Sequence, residues 1–514
     1  MAECALVTVP RDWGAPDSGA ELRVAISRVA ATGEQQGVIL LNPGGPGGQG
    51  TPLAGALAAL QPSVSERYAF VGMDPRGTGQ AGATAPELAP LTCEVPTERF
   101  STWTDLDARD RSRASIAEHR KAPRAVAEAC QSEALTPYIT TWQTAHDMEL
   151  VRRLLGESTL NYLGYSYGTW LGAKYASLFP GSTGKMVLDS STNWEGRLQA
   201  AFEAWPAINQ RLFDDVFLPW MTRQWPELVG DTPAEARRMW ERVRDHYESI
   251  GTRPDDYDLV FTGMGSPLRW ALGALVFAAG AQQLTGQEPE VGAELNEAAL
   301  ARFGVPATEL TTERIAAELA EDYTSYPATR YAVACGDQET RSARWYKRLS
   351  DRQGPRFPLY GWAYGLSEVC GYWSEEPRQT LPTLPPAVAD NVLVVQGEFD
   401  PQTGYEQARA AVRAAPGVGL VSVDDAAFHG QYALDGNPCV DGMVNVFLLH
   451  NSRPDRATCP GVPLLDETEV YPVDGPVRHH RPASVTAQSA DPALRDLRDA
   501  VRNRIGELNA FRSR

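Results

Sequence analysis

The sequence predicts an α/β protein: a mostly parallel sheet wrapped by helices and interrupted by a large helical insertion. Three observations carry this. Short buried-strand patterns alternate with helical patterns up to about residue 194, the rhythm of strands joined by crossover helices. From 195 to 385 the chain turns Trp-rich and helical in pattern, with no run of buried strands. Strand patterns then resume at 391–396 and 418–423. The expected organisation is a first core segment over 1–194, a helical cap over 195–385, a second core segment over 386–475, and a linker with a C-terminal helix over 476–514.

Taken in order, residues 21–30 alternate apolar and polar, as a half-buried strand does. Residues 37–41 (Gly-Val-Ile-Leu-Leu) are continuously apolar, as in a central strand covered on both faces. A Gly/Pro loop, Asn42 to Gly50, precedes a helix-like stretch. Ala69 to Met73 reads as another buried strand, ending in Asp74-Pro75-Arg76-Gly77. Residues 101–130 are charged and helical in pattern, and a helix over 143–155 leads into the strand Thr159 to Leu163. Lys185 to Asp189 is a further strand. Within the insertion, 197–225, 233–250, 267–284 and 311–321 read as helices. Residues 476–489 read as a surface linker. In the last helix Leu494, Leu497, Val501, Ile505 and Leu508 share one face, expected to dock on the protein itself.

Composition narrows the function. The 514 residues include 43% hydrophobic residues and 13 Trp, enough for a sizeable core. A formal net charge of -18 argues against nucleic acid and anionic membrane surfaces as partners. No run of 18 apolar residues exists, so no membrane-spanning helix is expected. The N-terminus lacks a basic start and an apolar signal core, which leaves a cytoplasmic protein or a mature form with a new Met. Of the seven cysteines, none forms a C-x-x-C pair, so neither a zinc site nor a thioredoxin-like motif is expected. Six fall into local pairs: Cys93 with Cys130, Cys335 with Cys370, Cys439 with Cys459. Three disulfides of a secreted enzyme is one reading and six buried thiols the other, with Cys4 left over.

The chemistry centres on Gly164-Tyr165-Ser166-Tyr167-Gly168. Glycines two before and two after a serine, between a strand and a helix ending at Pro180, form the pattern of a nucleophile elbow. Acyl transfer by serine needs a base, an acid to orient it, and donors for the oxyanion. In this pattern the order along the chain is serine, acid, histidine. The strand 391–396 runs into Gly397-Glu398-Phe399-Asp400-Pro401, and 418–423 runs into a loop carrying His429. Of the seven histidines only His429 stands where a base is needed, and Asp400 is the expected acid, with Glu398 the fallback. The oxyanion donors are the backbone N–H groups of Tyr167 and Gly45. A competing reading takes Gly45 to Gly50 as a G-x-G-x-x-G dinucleotide loop with Asp74 as its ribose acid. Pro43 and Pro46 stiffen that turn, and a second loose match at Gly77 to Gly82 shows how little the pattern carries.

Together Asn-Pro-Gly-Gly-Pro-Gly, Asp-Pro-Arg-Gly, Leu-Gly-Tyr-Ser-Tyr-Gly-Thr, Val-Val-Gln-Gly-Glu-Phe-Asp-Pro and Phe-His-Gly occur in order over residues 38–430. In this the chain resembles the secreted bacterial tripeptidyl-aminopeptidase group of α/β-hydrolases, relatives of proline iminopeptidase. Cys439 and Cys459 after the histidine resemble that group's C-terminal region. The resemblance implies an α/β-hydrolase fold, Ser166 as nucleophile, Asp400 as acid, His429 as base, and exopeptidase action on a free N-terminus under a helical cap. It also implies secretion or attachment at the cell surface. An α-amine pocket needs carboxylates, and the cap offers Glu195, Glu203, Asp214, Asp215 and Asp337, of which Glu203 and Asp337 are carried forward as expected ligands. The sequence therefore predicts a monomeric serine hydrolase acting on a peptide, or on a small amide or ester, without metal or cofactor. The remaining reading is a non-catalytic or dinucleotide-binding α/β protein.

Overall fold

The structure, a computed structural model, describes residues 2–79, 89–319, 324–477 and 492–509. Most of the expected linker with His479 and His480, the second glycine motif beyond Gly79, the end of the 311–321 helix and the side chain of Leu508 lie outside the described residues.

Among the described residues nine strands form one sheet: β1 (Ala2–Pro10), β2 (Glu21–Val29), β3 (Gly37–Asn42), β4 (Tyr68–Met73), β6 (Leu160–Tyr165), β7 (Thr183–Asp189), β9 (Val392–Gly397), β10 (Gly419–Asp424) and β11 (Arg456–Pro460). Their spatial order is β1-β2-β4-β3-β6-β7-β9-β10-β11. β1 and β2 run antiparallel, β2 meets β4 antiparallel, and every other pairing is parallel. A separate antiparallel pair joins β5 (Thr92–Glu94) to β8 (Ser325–Pro327).

The apolar runs occupy the middle of the sheet because both of its faces are covered. Val38 and Leu40 of β3 face one core layer, and Ile39 and Leu41 the other. Val392 and Val394 of β9 divide from Leu393 and Val395 in the same way, the period-two alternation of a pleated strand. The segment between β7 and β9 has its own core, where Phe213, Phe217, Trp220, Trp240, Phe261 and Trp270 pack edge-to-face and stacked. The C-terminal helix (Pro492–Asn509) buries Val501 and Ile505, and half-buries Leu494 and Leu497, against the sheet's second layer.

Four details differ from the sequence reading. β1 was not anticipated: it is an edge strand in which only Val7 and Val9 are buried, so it carries little apolar pattern. β11 is equally short of apolar residues. Residues 101–112 form a loop, held by Asp110 bonds to Ser112 and by Asp255 to the Ala108 N–H, and the helices begin at Arg113. The helical region also contains β8, which closes on β5 beside the Cys93–Cys130 disulfide.

Cys335–Cys370 and Cys439–Cys459 are the other disulfides, and Cys4 is free and exposed. This pairing fits an oxidising compartment. No described helix is long and apolar enough to cross a membrane. Alkylation without reductant, read by mass spectrometry, is expected to modify Cys4 alone. The Cys335→Ser/Cys370→Ser variant is expected to lose about 2–4 kcal/mol of stability in denaturant unfolding.

Candidate active site

Ser166 sits at the junction of β6 and the helix Tyr167–Leu178, with φ 59° and ψ -125°. A non-glycine residue rarely holds such a backbone, and here the packing imposes it. A Cβ on Gly164 would come within 2.6 Å of the Gly168 carbonyl oxygen, and one on Gly168 within 2.9 Å of the Asn42 carbonyl oxygen. Both glycines are therefore steric requirements of the elbow. The Ser166 N–H donates to the Asp189 carbonyl at 3.0 Å, tying the elbow to the end of β7. Tyr167 opens the helix, so its N–H has no intrahelical acceptor. It lines a small cavity together with Gly45, Ser166, Thr192, Gln402 and Thr403. The loop bearing Gly45 is fixed by the Gly44 N–H donating to Asn42 Oδ1 at 2.9 Å.

Asp400 and His429 are fully buried and directly paired. His429 Nδ1 lies 2.9 and 2.8 Å from the two Asp400 oxygens. The same carboxylate accepts the N–H groups of Gln402 and Thr403, each at 2.9 Å, and the Thr403 hydroxyl at 3.0 Å. Burial pushes the Asp400 carboxyl up, but His429 and these donors outweigh it and hold it below the usual carboxylate range. Among the described residues the second ring nitrogen, Nε2, is buried without a hydrogen-bond partner. A ring held through Nδ1 with Nε2 unoccupied is the form that can take a proton from a serine hydroxyl.

Several supporting residues escaped the sequence reading. The Asp189 carboxylate accepts the N–H groups of Gln431 (3.0 and 3.1 Å) and Tyr432 (2.6 Å). Ser190 Oγ accepts the Gly430 N–H at 2.7 Å. The end of β7 thus grips the elbow through one carbonyl and the His429 loop through two side chains. Burial pushes the Asp189 carboxyl up to about 7 despite these N–H bonds. From the helical segment, the Gly265 carbonyl accepts the His429 N–H at 2.8 Å. The only sequence signal for this set was an acid ending the strand after the elbow, followed by Ser190, Ser191 and Thr192.

The remaining expected residues lie elsewhere. Glu203 is bound by Arg197 at 2.8 and 3.0 Å. Asp337 is buried behind Tyr167, accepting the Thr141 N–H at 2.8 Å, the Thr141 hydroxyl, and Trp170 Nε1 at 3.3 Å; burial raises its carboxyl to about 6. Neither lines the cavity beside Ser166, whose roof is apolar: Leu198, Ala201, Phe202 and Trp205. Glu195 caps the Leu384 N–H and Asp214 pairs with Arg237. Glu398, the fallback acid, accepts the N–H groups of Asp425 and Val477 and does not touch His429 among the described bonds. Asp74 is buried and accepts the Thr51 N–H (2.9 Å) and hydroxyl (3.2 Å), so its carboxylate braces the end of the glycine loop. Another cavity, between His119, Asp255, Tyr326 and Tyr360, is lined by none of Ser166, Asp400 and His429.

Comparison with known proteins gives the family of the chain. Residues 37–263 match the alpha/beta hydrolase fold family, and residues 358–459 match the family described as TAP-like protein. The tripeptidyl aminopeptidase of Streptomyces coelicolor is 32% identical over 485 residues, 89% of this chain and 83% of that protein. The chain belongs to the TAP-like α/β hydrolases. Carboxylesterase B of Mycobacterium tuberculosis is 28% identical over 485 residues, 88% of this chain and 85% of that one. Serine protease Hip1 of the same organism is 32% identical over 196 residues, 37% of this chain and 36% of that one.

For this TAP-like hydrolase, Asp189→Asn replaces an acceptor oxygen with an NH2 group facing the N–H groups of Gln431 and Tyr432. A shift of about 1 Å in the His429 loop is expected to lower kcat about 100-fold. Steady-state kinetics on a chromogenic substrate check this.

Proposed function

We propose that the protein is a serine exopeptidase that cleaves peptide bonds near a free N-terminus through an acyl-enzyme. The observation that carries this reading is the buried Asp400–His429 pair with its unpartnered Nε2, next to a cavity that holds Ser166. In this mechanism Ser166 Oγ attacks the substrate carbonyl while His429 Nε2 takes its proton. Asp400 holds the ring and stabilises it when protonated. The N–H groups of Gly45 and Tyr167 donate to the oxyanion of the tetrahedral intermediate. His429 then protonates the leaving amine. Water, deprotonated by the same nitrogen, releases the acyl group and restores Ser166.

The apolar roof of Leu198, Ala201, Phe202 and Trp205 would hold the side chain next to the scissile bond. The three disulfides support work outside the cytoplasm. A second reading, hydrolysis of small esters or amides by the same residues, draws on the carboxylesterase relative and on the lack of a carboxylate in the cavity lining.

A panel of aminoacyl, dipeptidyl and tripeptidyl p-nitroanilides, free and N-acetylated, against p-nitrophenyl esters separates the two. The exopeptidase reading expects kcat/KM for at least one free peptide to exceed that of its acetylated form by about 10-fold or more, the scale of one desolvated charge contact. Cleavage of esters alone, or equal cleavage of blocked and free peptides, would favour the second reading.

A further inference from the structure

The C-terminal helix Pro492–Asn509 lies beyond residue 459, where the TAP-like match ends, yet it touches both loops that present the acid and the base. Arg502 is 3% exposed. Its Nη2 donates to the Gly430 carbonyl at 2.6 Å and to Asp435 Oδ1 at 2.6 Å. Its guanidinium lies 5.4 Å from the ring centroid of Phe428. The two residues flanking His429 are thus both held by one side chain. One helical turn further on, the Gly506 carbonyl accepts Gln402 Nε2 at 3.1 Å. Gln402 lines the Ser166 cavity, and its backbone N–H donates to Asp400. Positions i and i+4 share a helix face, so one face of this helix braces the base loop at Arg502 and the acid loop at Gly506. A Cβ on Gly506 would come within 3.1 Å of Ser266, so the helix seats closely.

We infer that Arg502 is a positioning residue for catalysis: from the C-terminal helix it fixes the Gly430 carbonyl and so keeps the His429 ring on Asp400. A guanidinium suits this task because Nη2 can serve the carbonyl and the carboxylate while the planar group lies against the Phe428 ring. An ammonium at the same place keeps the charge and loses the simultaneous contacts. The pairing of Arg502 with Asp435 is a buried ion pair, with side-chain exposures of 4% and 3%. Removing one partner alone leaves a buried charge and threatens folding. The test therefore includes the double variant, which removes both charges.

The inference rests on the serine-hydrolase reading, so its test uses probes indifferent to peptide recognition: the rate of fluorophosphonate labelling and turnover of p-nitrophenyl acetate. Arg502→Met is expected to lower both the labelling rate and kcat about 10-fold or more with KM unchanged within about twofold, as for a displaced catalytic group. Arg502→Lys is expected to recover part of kcat. Arg502→Met/Asp435→Asn is expected to regain thermal stability but to keep the low kcat, because the Gly430 carbonyl still lacks its donor. Glu507→Gln, on the exposed face of the same helix, serves as the unaffected control. Recovery of full kcat in the double variant would reduce Arg502 to a partner for Asp435 and overturn the inference. So would undiminished labelling of folded Arg502→Met. Failure of the unaltered protein to label would instead reject the hydrolase reading itself.

Discussion

The buried pair of Asp400 and His429 is the contact on which the rest of the site depends. A carboxylate removed from water costs several kcal/mol unless its oxygens are occupied. Here its oxygens accept from the His429 ring, two backbone N–H groups and the Thr403 hydroxyl. These donors come from the loop after β9 and the loop after β10, so charge satisfaction and loop folding are one event. Among the described residues the other ring nitrogen, Nε2, has no hydrogen-bond partner.

The sheet converts this pair into a site by arranging strand ends. β6, β7, β9 and β10 are parallel neighbours in the middle of the sheet, so the elbow, Asp189, Asp400 and His429 all emerge from the same edge. β7 lies between β6, which leads into Ser166, and β9, which leads into Asp400, which is why its last residues can hold both the elbow and the His429 loop. The helical segment is more than a cover. Gly265 accepts the His429 N–H, and Trp205 Nε1 and Asn209 Nδ2 donate to the carbonyls of Gln402 and Pro401 at 2.7 and 2.9 Å. The residues over Ser166 and the loop of Asp400 are thus packed together.

The sheet's central strands and the three proposed reacting groups were legible because each carries a local signature. Unbroken apolar runs mark β3, β4 and β9, the glycine spacing marks Ser166, and loop position after a strand marks Asp400 and His429. The supporting contacts were not legible, since they join residues far apart in the chain. Asp189 meets Tyr432 across 243 positions and Arg502 meets Gly430 across 72. Glu203 and Asp337 illustrate the opposite error. A carboxylate in a cap looks available until the fold shows Arg197 or Thr141 already bound to it. β1 and β11 escaped because edge strands bury few side chains and so write little pattern into the sequence.

The claim that Ser166 is activated by the buried pair is tested most directly by intact-mass and peptide-mapping analysis after treatment with a fluorophosphonate, on the unaltered protein and on Asp400→Asn. The account predicts a single adduct on Ser166, and labelling slower by about 10⁴-fold when Asp400→Asn removes the charge that orients His429. Labelling at another serine, or an Asp400→Asn variant that labels Ser166 at the original rate, would contradict it.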